Sequence, residues 1–244
     1  MAKGNRMIRL EVAVDDVLGL AAALAGGADR VELCAALEIG GLTPSAGLMQ
    51  AAAGCGLPCY AMIRPRSGGF CHDAAELAVM RADIGAARGA GLTGVVFGAL
   101  TDRGALDMAA MRHLCDAARG MGVTLHRAFD LVDDWRAAVD AAVDLGVERI
   151  LTSGGAVSAP AGVARLAEVM AYAGDRIIVM PGAGVSVVTL GALAGLPLRE
   201  VHASCSAPLA TQARSLAMGF ETAGRKRTDA GVVAGLKAAL AGLE

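Results

Sequence analysis

The chain has 244 residues, a net charge of −2 at neutral pH, and a composition that is 55% hydrophobic but only 3% aromatic. This length can bury a sizeable core, which must be built from Ala, Val, Leu, Ile and Met side chains. The acidic balance argues against a nucleic-acid-binding protein, because the basic run at residues 225–227 is too short to form a footprint on nucleic acid.

The first residues lack the apolar stretch of a signal peptide, which predicts a cytoplasmic protein. The longest uncharged run, residues 177–198, could be mistaken for a membrane span, but Pro181, Gly182 and Gly184 interrupt it. We interpret this run as a strand, a glycine turn and a helix, and we expect no membrane association.

Six cysteines are present in a chain without a secretory signal. In that context free thiols are expected in preference to a disulfide framework. Cys55 and Cys59 are one residue too far apart for a Cys-x-x-Cys redox motif, and Pro58 lies between them. We therefore do not expect a metal site at this pair.

Short runs rich in β-branched residues alternate along the chain with amphipathic helical patterns. This alternation is typical of βαβ units around a parallel sheet. The eight predicted strands are residues 9–14, 30–34, 59–64, 94–99, 123–129, 149–152, 176–180 and 200–203.

The predicted helices are apolar on one face only. Between the third and fourth strands, Leu77, Met80, Ile84 and Ala87 recur at three- and four-residue steps. Strands that are apolar throughout and helices with one apolar face place the sheet inside and the helices outside. Eight such units predict a single-domain (β/α)8 barrel of the TIM type over residues 1–244, with an open doubly wound sheet as the alternative.

One long connection, residues 204–227, separates the eighth strand from a final helix predicted within residues 228–243. Connections of this length often carry function. It could act as a lid or as an arm that contacts a partner.

Functional side chains in such barrels lie at the carboxyl ends of the strands. Two acids, Glu11 and Glu32, and three arginines, Arg64, Arg66 and Arg127, occupy the predicted strands and the residues that follow them. Because an unpaired buried charge is costly, these groups either pair with one another or form a ligand site. We expect Glu32 to face the barrel interior, where Arg64 or Arg127 can pair with it.

Histidines and cysteines also lie near the strand ends. His126 and His202 belong to the fifth and eighth strands, and Cys34 and Cys71 follow from the second and third. Thiols and imidazoles are ligands for soft metal ions, so these residues indicate a metal or ligand site; completion of the core is the alternative for each histidine. Glu32 and His126 are the candidates for acid–base catalysis.

Two glycine turns are candidate anion sites. Residues 152–155 follow the sixth strand and residues 182–184 follow the seventh. Glycines allow backbone N–H groups to converge on an anion, although ordinary tight turns are the alternative. The residues that would contact the anion are Ser153, Gly154, Gly182 and Gly184.

Several segments together resemble the CutC family of copper-homeostasis proteins. They are Glu32-Leu-Cys34, Gly40-Gly-Leu-Thr-Pro-Ser45, Met62-Ile-Arg-Pro-Arg66 with Phe70-Cys71, His126-Arg-Ala-Phe-Asp130, Leu151-Thr-Ser-Gly154, and Gly182-Ala-Gly-Val185 with Val201-His202. The resemblance covers nearly the whole chain from about residue 9. It implies a TIM-type barrel, a cytoplasmic homodimer and a function in copper handling, with no organic cofactor indicated.

The resemblance also implies a shared cluster at one face of the barrel. The matching positions are Glu11, Glu32, Cys34, Arg64, Arg66, Cys71, His126, Arg127, Asp130, Ser153 and His202. The chain departs from the family pattern at Gly69, where an acid is common, and at His72, where a tyrosine is common.

Two hypotheses for function follow. The first is a copper-binding protein in which Cys34 and Cys71, with His126 and His202, ligate the ion. Such a site must be assembled from separate strands, because the chain has no compact copper motif. The second is an enzyme, or a binder of a small anionic metabolite, in which Arg64, Arg66 and Arg127 hold a phosphate or carboxylate. An interaction scaffold is a third interpretation with little support in the sequence.

Overall fold

The computed structural model describes residues 7–243, and its eight parallel strands form the predicted barrel. The strands follow one another in the order β7-β6-β5-β4-β3-β2-β1-β8. They are β1 (Arg9–Val14), β2 (Arg30–Leu33), β3 (Cys59–Met62), β4 (Gly94–Phe97), β5 (Gly122–Leu125), β6 (Arg149–Thr152), β7 (Ile178–Pro181) and β8 (Glu200–Ala203). A Cβ placed on Gly182, directly after β7, would lie 3.3 Å from His202 in β8. The two end strands are therefore neighbours, and the barrel is nearly closed.

Helices cover the outside of the barrel after each of the first six strands. They are α1 (Val17–Ala25), α2 (Ala46–Ala53), α3 (Ala74–Gly89), α4 (Met108–Ala117), α5 (Trp135–Asp144) and α6 (Val163–Ala173). Most begin at an Asp or Ser whose side chain accepts a backbone N–H of the first turn. Within the predicted stripe of α3, Met80, Ile84 and Ala87 are buried, as expected for its inward face.

The predicted helix after β7 is wrong in type and extent. The chain forms only a short 3-10 helix, Leu190–Leu193, in this region. Gly191 and Gly195 lower the helix propensity, and Pro197 cannot continue a helix, so the segment is too short and too poor in helix formers to extend. Two further 3-10 helices, Leu37–Ile39 and Arg127–Leu131, follow β2 and β5.

The connection after β8 is an arm that folds back on the barrel. It contains an antiparallel pair, β9 (Ser206–Pro208) and β10 (Lys226–Thr228), with a short helix, α7 (Ala213–Ala217), between them. The hydroxyl of Thr228 donates to the carbonyl oxygens of Ala13 and Ser204, and Arg227 pairs with Asp16 at 2.7 Å. These contacts anchor the base of the arm before α8 (Ala230–Ala241).

The two faces of the barrel wall differ in polarity. Leu10, Val12 and Val14 of β1 pack in the core between strands and helices, while Glu11 on the same strand faces the interior of the barrel, where it meets Arg30. No helix within residues 7–243 combines the length and the apolar character needed to cross a membrane.

Candidate functional site

A network of buried ion pairs fills the part of the barrel interior nearest the amino ends of the strands. Arg30 lies between Glu11 and Glu200 and pairs with both. Arg149 donates to Glu200 at 3.1 Å from the other side. Both guanidinium groups lie over the ring of Tyr60, at 5.4 and 4.8 Å from its centroid. Because every charge has a partner, the network can exist out of contact with water.

Sequence reasoning missed three members of this network. Arg30, Arg149 and Glu200 are each the first residue of a strand, where polar residues are easily interpreted as the end of a linker. The period of two in a strand could have identified Arg30, because it places Arg30 on the same face as Glu32.

Above the network, His202 lies between the two acidic side chains predicted from the sequence. Its Nδ1 is 2.8 Å from Oε1 of Glu11, and its Nε2 is 3.8 Å from Oε2 of Glu32. Strand register explains this arrangement, because Glu11 is paired with His202 across β1 and β8. Glu32 therefore faces the interior as expected, but its partners are His202 and the thiol of Cys34, 3.5 Å away, and not Arg64 or Arg127.

The two carboxylates have opposite electrostatic environments. Burial alone would raise the pKa of Glu11, but Arg30 and His202 outweigh it and hold that pKa at about 2. Burial raises the pKa of Glu32, with Glu11 adding to the effect and His202 opposing it. Burial disfavours the charged form of His202, yet Glu32 and Glu11 raise its pKa above the ordinary value. Glu32 and His202 are thus two groups that can exchange one proton.

A cavity of about 360 Å³ opens at the carboxyl ends of the strands, directly above this pair. Its walls are largely apolar, and its polar groups come from several strands. The lining residues include Glu32, Leu37, Ile39, Met62, Arg64, Phe70, His126, Arg127, Leu151, Ala183, Gly184, Val185 and His202. A mostly apolar cavity with a few converging polar groups is typical of a small-molecule site.

His126 presents a neutral ring to this cavity. Burial and the nearby charge of Arg64 lower its pKa to about 3. Nδ1 accepts the backbone N–H of Ala128 at 3.2 Å, so the proton of the neutral ring belongs on Nε2, which has no hydrogen-bond partner within residues 7–243. Gly98 makes room for the ring, since a Cβ there would lie 2.8 Å from it. His126 can therefore donate a hydrogen bond to a bound ligand.

Arg64 is buried at the cavity edge and joins the loops around it. It donates to the carbonyl oxygens of Ile39, Gly41 and Gly68 at 3.0, 3.1 and 2.8 Å, and its guanidinium lies 5.1 Å from the ring of Phe70. Both terminal nitrogens donate to these carbonyl oxygens, whereas the buried Nε has no hydrogen-bond partner within residues 7–243. Arg64 therefore contributes positive charge and one unpaired donor at the cavity edge.

The turn at residues 152–155, predicted to bind an anion, encloses a carboxylate of the chain itself. Asp130 accepts the backbone N–H groups of Ser153 and Gly155 at 3.0 Å. Ser153 is buried and also joins Asp130 to Arg127, which pairs with that acid at 2.8 Å. Gly154 packs against the backbone of the next turn, where a Cβ would lie 2.5 Å from a carbonyl oxygen. Of these residues, Arg127 lines the cavity.

Two predicted ligands lie elsewhere. Arg66 is exposed and forms an ion pair with Glu76, and it donates to the carbonyl oxygen of Cys71 at 2.9 Å. Arg66 therefore fixes the loop after β3, and neither it nor Cys71 lines the cavity. Cys71 is exposed, whereas Cys34 is fully buried beside Glu32, and burial raises the pKa of the Cys34 thiol well above its ordinary value.

The second glycine turn lines the cavity through Ala183 and Gly184, whereas Gly182 is not among the lining residues. Gly182 lies against Leu151 and His202 with no space for a side chain, and Ala183 and Gly184 both have positive φ, 71° and 74°. The three non-glycine residues with positive φ in the described chain, Ala36, Ala183 and Cys205, all follow strands at this end of the barrel. Such strain concentrates at functional sites. The N–H groups of residues 183–185 have no protein acceptor within residues 7–243.

Three potential metal ligands also converge here. Atoms of Glu11, Glu32 and His202 lie within 4.8 Å of one another, and all three residues are buried. The group contains two carboxylates and an imidazole, and neither Cys34 nor Cys71 belongs to it.

Comparison with known proteins agrees with the sequence motifs and with the fold. A sequence model of the CutC family matches residues 8–207. The chain belongs to the CutC family. A family protein named CutC from Sinorhizobium medicae is 55% identical over 238 residues, which cover 97% of each chain. A CutC relative from Agrobacterium fabrum is also 55% identical, over 95% of this chain and 93% of its own.

The structure of a CutC family member from Streptococcus agalactiae, solved as a copper homeostasis protein, superposes with a TM-score of 0.77 at 30% identity. The match covers 81% of this chain and 99% of that one. The CutC resemblance and the barrel predicted from the sequence are both confirmed.

Proposed function

We propose that the barrel mouth binds a small metabolite with an anionic group and performs acid–base chemistry on it. The observation that supports this most directly is the cavity of about 360 Å³ in which Oε1 of Glu32 and Nε2 of His126 are buried without a protein partner among residues 7–243. Buried polar atoms normally have hydrogen-bond partners. Two buried atoms without partners in one cavity therefore suggest that a ligand supplies the missing hydrogen bonds.

Proton transfer would involve Glu32 and His202. Glu11 accepts the Nδ1 proton of His202 and so directs Nε2 toward Glu32 and the cavity. Because the environment raises the pKa of both Glu32 and His202, the two groups can share one proton. A ligand bound against them could lose a proton to one and regain it from the other.

The anionic part of the ligand would lie toward β7 and β8. Ala183, Gly184 and Val185, after β7, line the cavity together with Arg127, after β5, and barrels of this type often bind phosphate at the loops after the seventh and eighth strands. The neutral ring of His126 would donate to an oxygen of the ligand on the opposite side.

A screen of phosphorylated and carboxylated metabolites by thermal unfolding tests this proposal. A ligand at 100 times its Kd should raise the Tm by about 5–10 °C. The rise should be lost in Arg127→Ala and kept in Arg112→Ala, an exposed arginine on α4. With a bound compound in hand, Glu32→Gln should abolish its turnover, followed by NMR, without abolishing binding. No response to any anion, or an equal response in Arg127→Ala, would exclude the proposal.

A second candidate is metal binding, which the copper-homeostasis description of the S. agalactiae relative suggests. The paired thiolate site for Cu(I) does not fit, because Cys34 is a buried thiol with a raised pKa and Cys71 is an exposed residue outside the cavity. The carboxylates of Glu11 and Glu32 with His202 suit Cu(II) or Zn(II) instead. Binding of Cu(II), measured by calorimetry, should then be lost in His202→Asn and unchanged in Cys34→Ser with Cys71→Ser.

We also propose that the protein acts in the cytoplasm as a homodimer. Both statements follow from the family resemblance. Light scattering during size-exclusion chromatography would test the second, because a dimer elutes with twice the mass of the chain.

A further inference from the structure

The turn between α2 and β3 carries two cysteines whose sulfur atoms touch. Sγ of Cys55 lies 3.4 Å from Sγ of Cys59. Cys59 begins β3, so the pair lies at the amino end of the strands, opposite the cavity and the acid–base groups. The proposed function makes no use of either residue.

We propose that Cys55 and Cys59 are a modification site that a small disulfide, such as oxidised glutathione, converts to an intrachain disulfide. The sequence alone does not indicate this, since three residues separate the cysteines and no Cys-x-x-Cys motif exists. The folded turn brings the sulfurs together despite that spacing.

A small movement of the turn can bring the two sulfur atoms to bonding distance. A sulfur–sulfur bond is about 2.05 Å long, so the two atoms must come closer by little more than 1 Å. Cys59 is held in the sheet opposite Val31 and is buried. Cys55 is half-buried and lies in a turn with Gly56, whose φ is +84° and where an added Cβ would meet no atom within 4 Å. Cys55 and its loop would therefore move toward Cys59, which stays in place.

The exposure of the two thiols sets the order of the reaction. Burial and the neighbouring Cys55 raise the pKa of Cys59 to about 12, so Cys55 attacks first. Its thiolate displaces one glutathione thiolate and forms a mixed disulfide. Cys59 then loses its proton, attacks the sulfur of Cys55 and releases the second glutathione. Two protein thiols are oxidised, and one glutathione disulfide is reduced to two thiols.

The test treats the native full-length chain with oxidised glutathione, blocks remaining thiols and maps the peptides by mass spectrometry. We expect the peptide with Cys55 and Cys59 to lose two hydrogen atoms and carry no glutathione. The exposed Cys71 should carry glutathione, which shows that the oxidant works. Cys115, also partly buried but without a second thiol in contact, should not form an intrachain disulfide.

Two variants, with Cys115→Ser as a control, distinguish formation of the Cys55–Cys59 disulfide from reaction of a single thiol with glutathione. In Cys59→Ala, Cys55 should retain glutathione because no resolving thiol remains. In Cys55→Ser, which changes only a half-buried position, Cys59 should stay reduced, while Cys115→Ser should leave the disulfide yield unchanged. The proposal is overturned if both thiols of the folded wild-type chain remain free, or if Cys55 keeps its glutathione while Cys59 is present.

Discussion

Glu11 and Glu32 show how neighbouring residues of one type acquire different properties. They lie on adjacent strands and face the same barrel interior, yet Arg30 and His202 keep Glu11 ionised, while burial favours the protonated form of Glu32. A carboxylate that is fully paired serves as a fixed charge. A carboxyl group with a raised pKa and an unpartnered oxygen is available for proton transfer.

The stability of the fold should therefore respond differently to the same substitution at the two glutamates. Glu11→Gln removes one of the two carboxylates that face each of Arg30 and His202, and it should lower the free energy of unfolding by about 3–5 kcal/mol. Glu32→Gln removes an acid that is costly to ionise. This substitution should change the free energy of unfolding by less than about 1 kcal/mol, or increase it. Urea unfolding at neutral pH measures both. Equal losses in the two variants would contradict the difference in environment.

His202 gives a pH prediction with a definite sign. Its pKa is raised in the folded chain, so its contribution to stability is complete below its ordinary pKa of 6.5 and is lost as the pH rises through the higher, folded-state value. NMR titration should find the His202 ring still protonated above pH 6.5, and Glu11→Gln should lower its pKa. His126 should remain neutral throughout, because its pKa is about 3. A His202 titration unchanged by Glu11→Gln would contradict the assignment.

At the scale of elements, the turn at residues 152–155 shows what a motif can and cannot predict. Its sequence indicated backbone N–H groups that converge on an anion, and they do converge. The carboxylate they hold belongs to Asp130, after β5. A local motif predicts the chemistry of such a turn, but only the fold decides whether an internal group already satisfies it.

Removal of that carboxylate should loosen the turn. Asp130→Asn removes the negative charge that accepts two backbone N–H groups and pairs with Arg127. We expect the free energy of unfolding to fall by about 1–3 kcal/mol. Hydrogen exchange should accelerate at Ser153 and Gly155 in particular. Asp144→Asn, an exposed position on α5, provides the control and should alter neither exchange nor stability.

Most of the barrel could be predicted because its wall obeys local rules. Alternating apolar runs and capped helices placed each strand within a few residues of its observed bounds. The 3-10 helix after β7 was not predicted, because Ser186 resembles a helix start while Gly191 and Pro197 prevent propagation. The site residues His202 and Glu32 were identified from their strand positions, but their pairing depends on register, which the sequence does not reveal.

At the scale of the whole molecule, the buried ion network links strands from distant parts of the chain. Arg149→Met should destabilise the fold by about 3–5 kcal/mol, because Glu200 then loses one of its two buried guanidinium partners. Arg176→Met breaks an exposed, solvent-screened pair with Asp140 and should lower the free energy of unfolding far less. Urea unfolding measures the free energy of unfolding of both variants. Similar losses of stability would show that burial does not strengthen the ion pair of Arg149 with Glu200.

The charges inside the barrel also link ligand binding to protons. Glu11 and Glu200 balance Arg30 and Arg149, while Glu32 and His202 together are neutral when they share one proton. An anion that enters the mouth therefore favours uptake of a second proton, and a divalent cation favours release of the first. In weakly buffered solution the direction of the pH change on binding would report the charge of the ligand before its chemical identity is known.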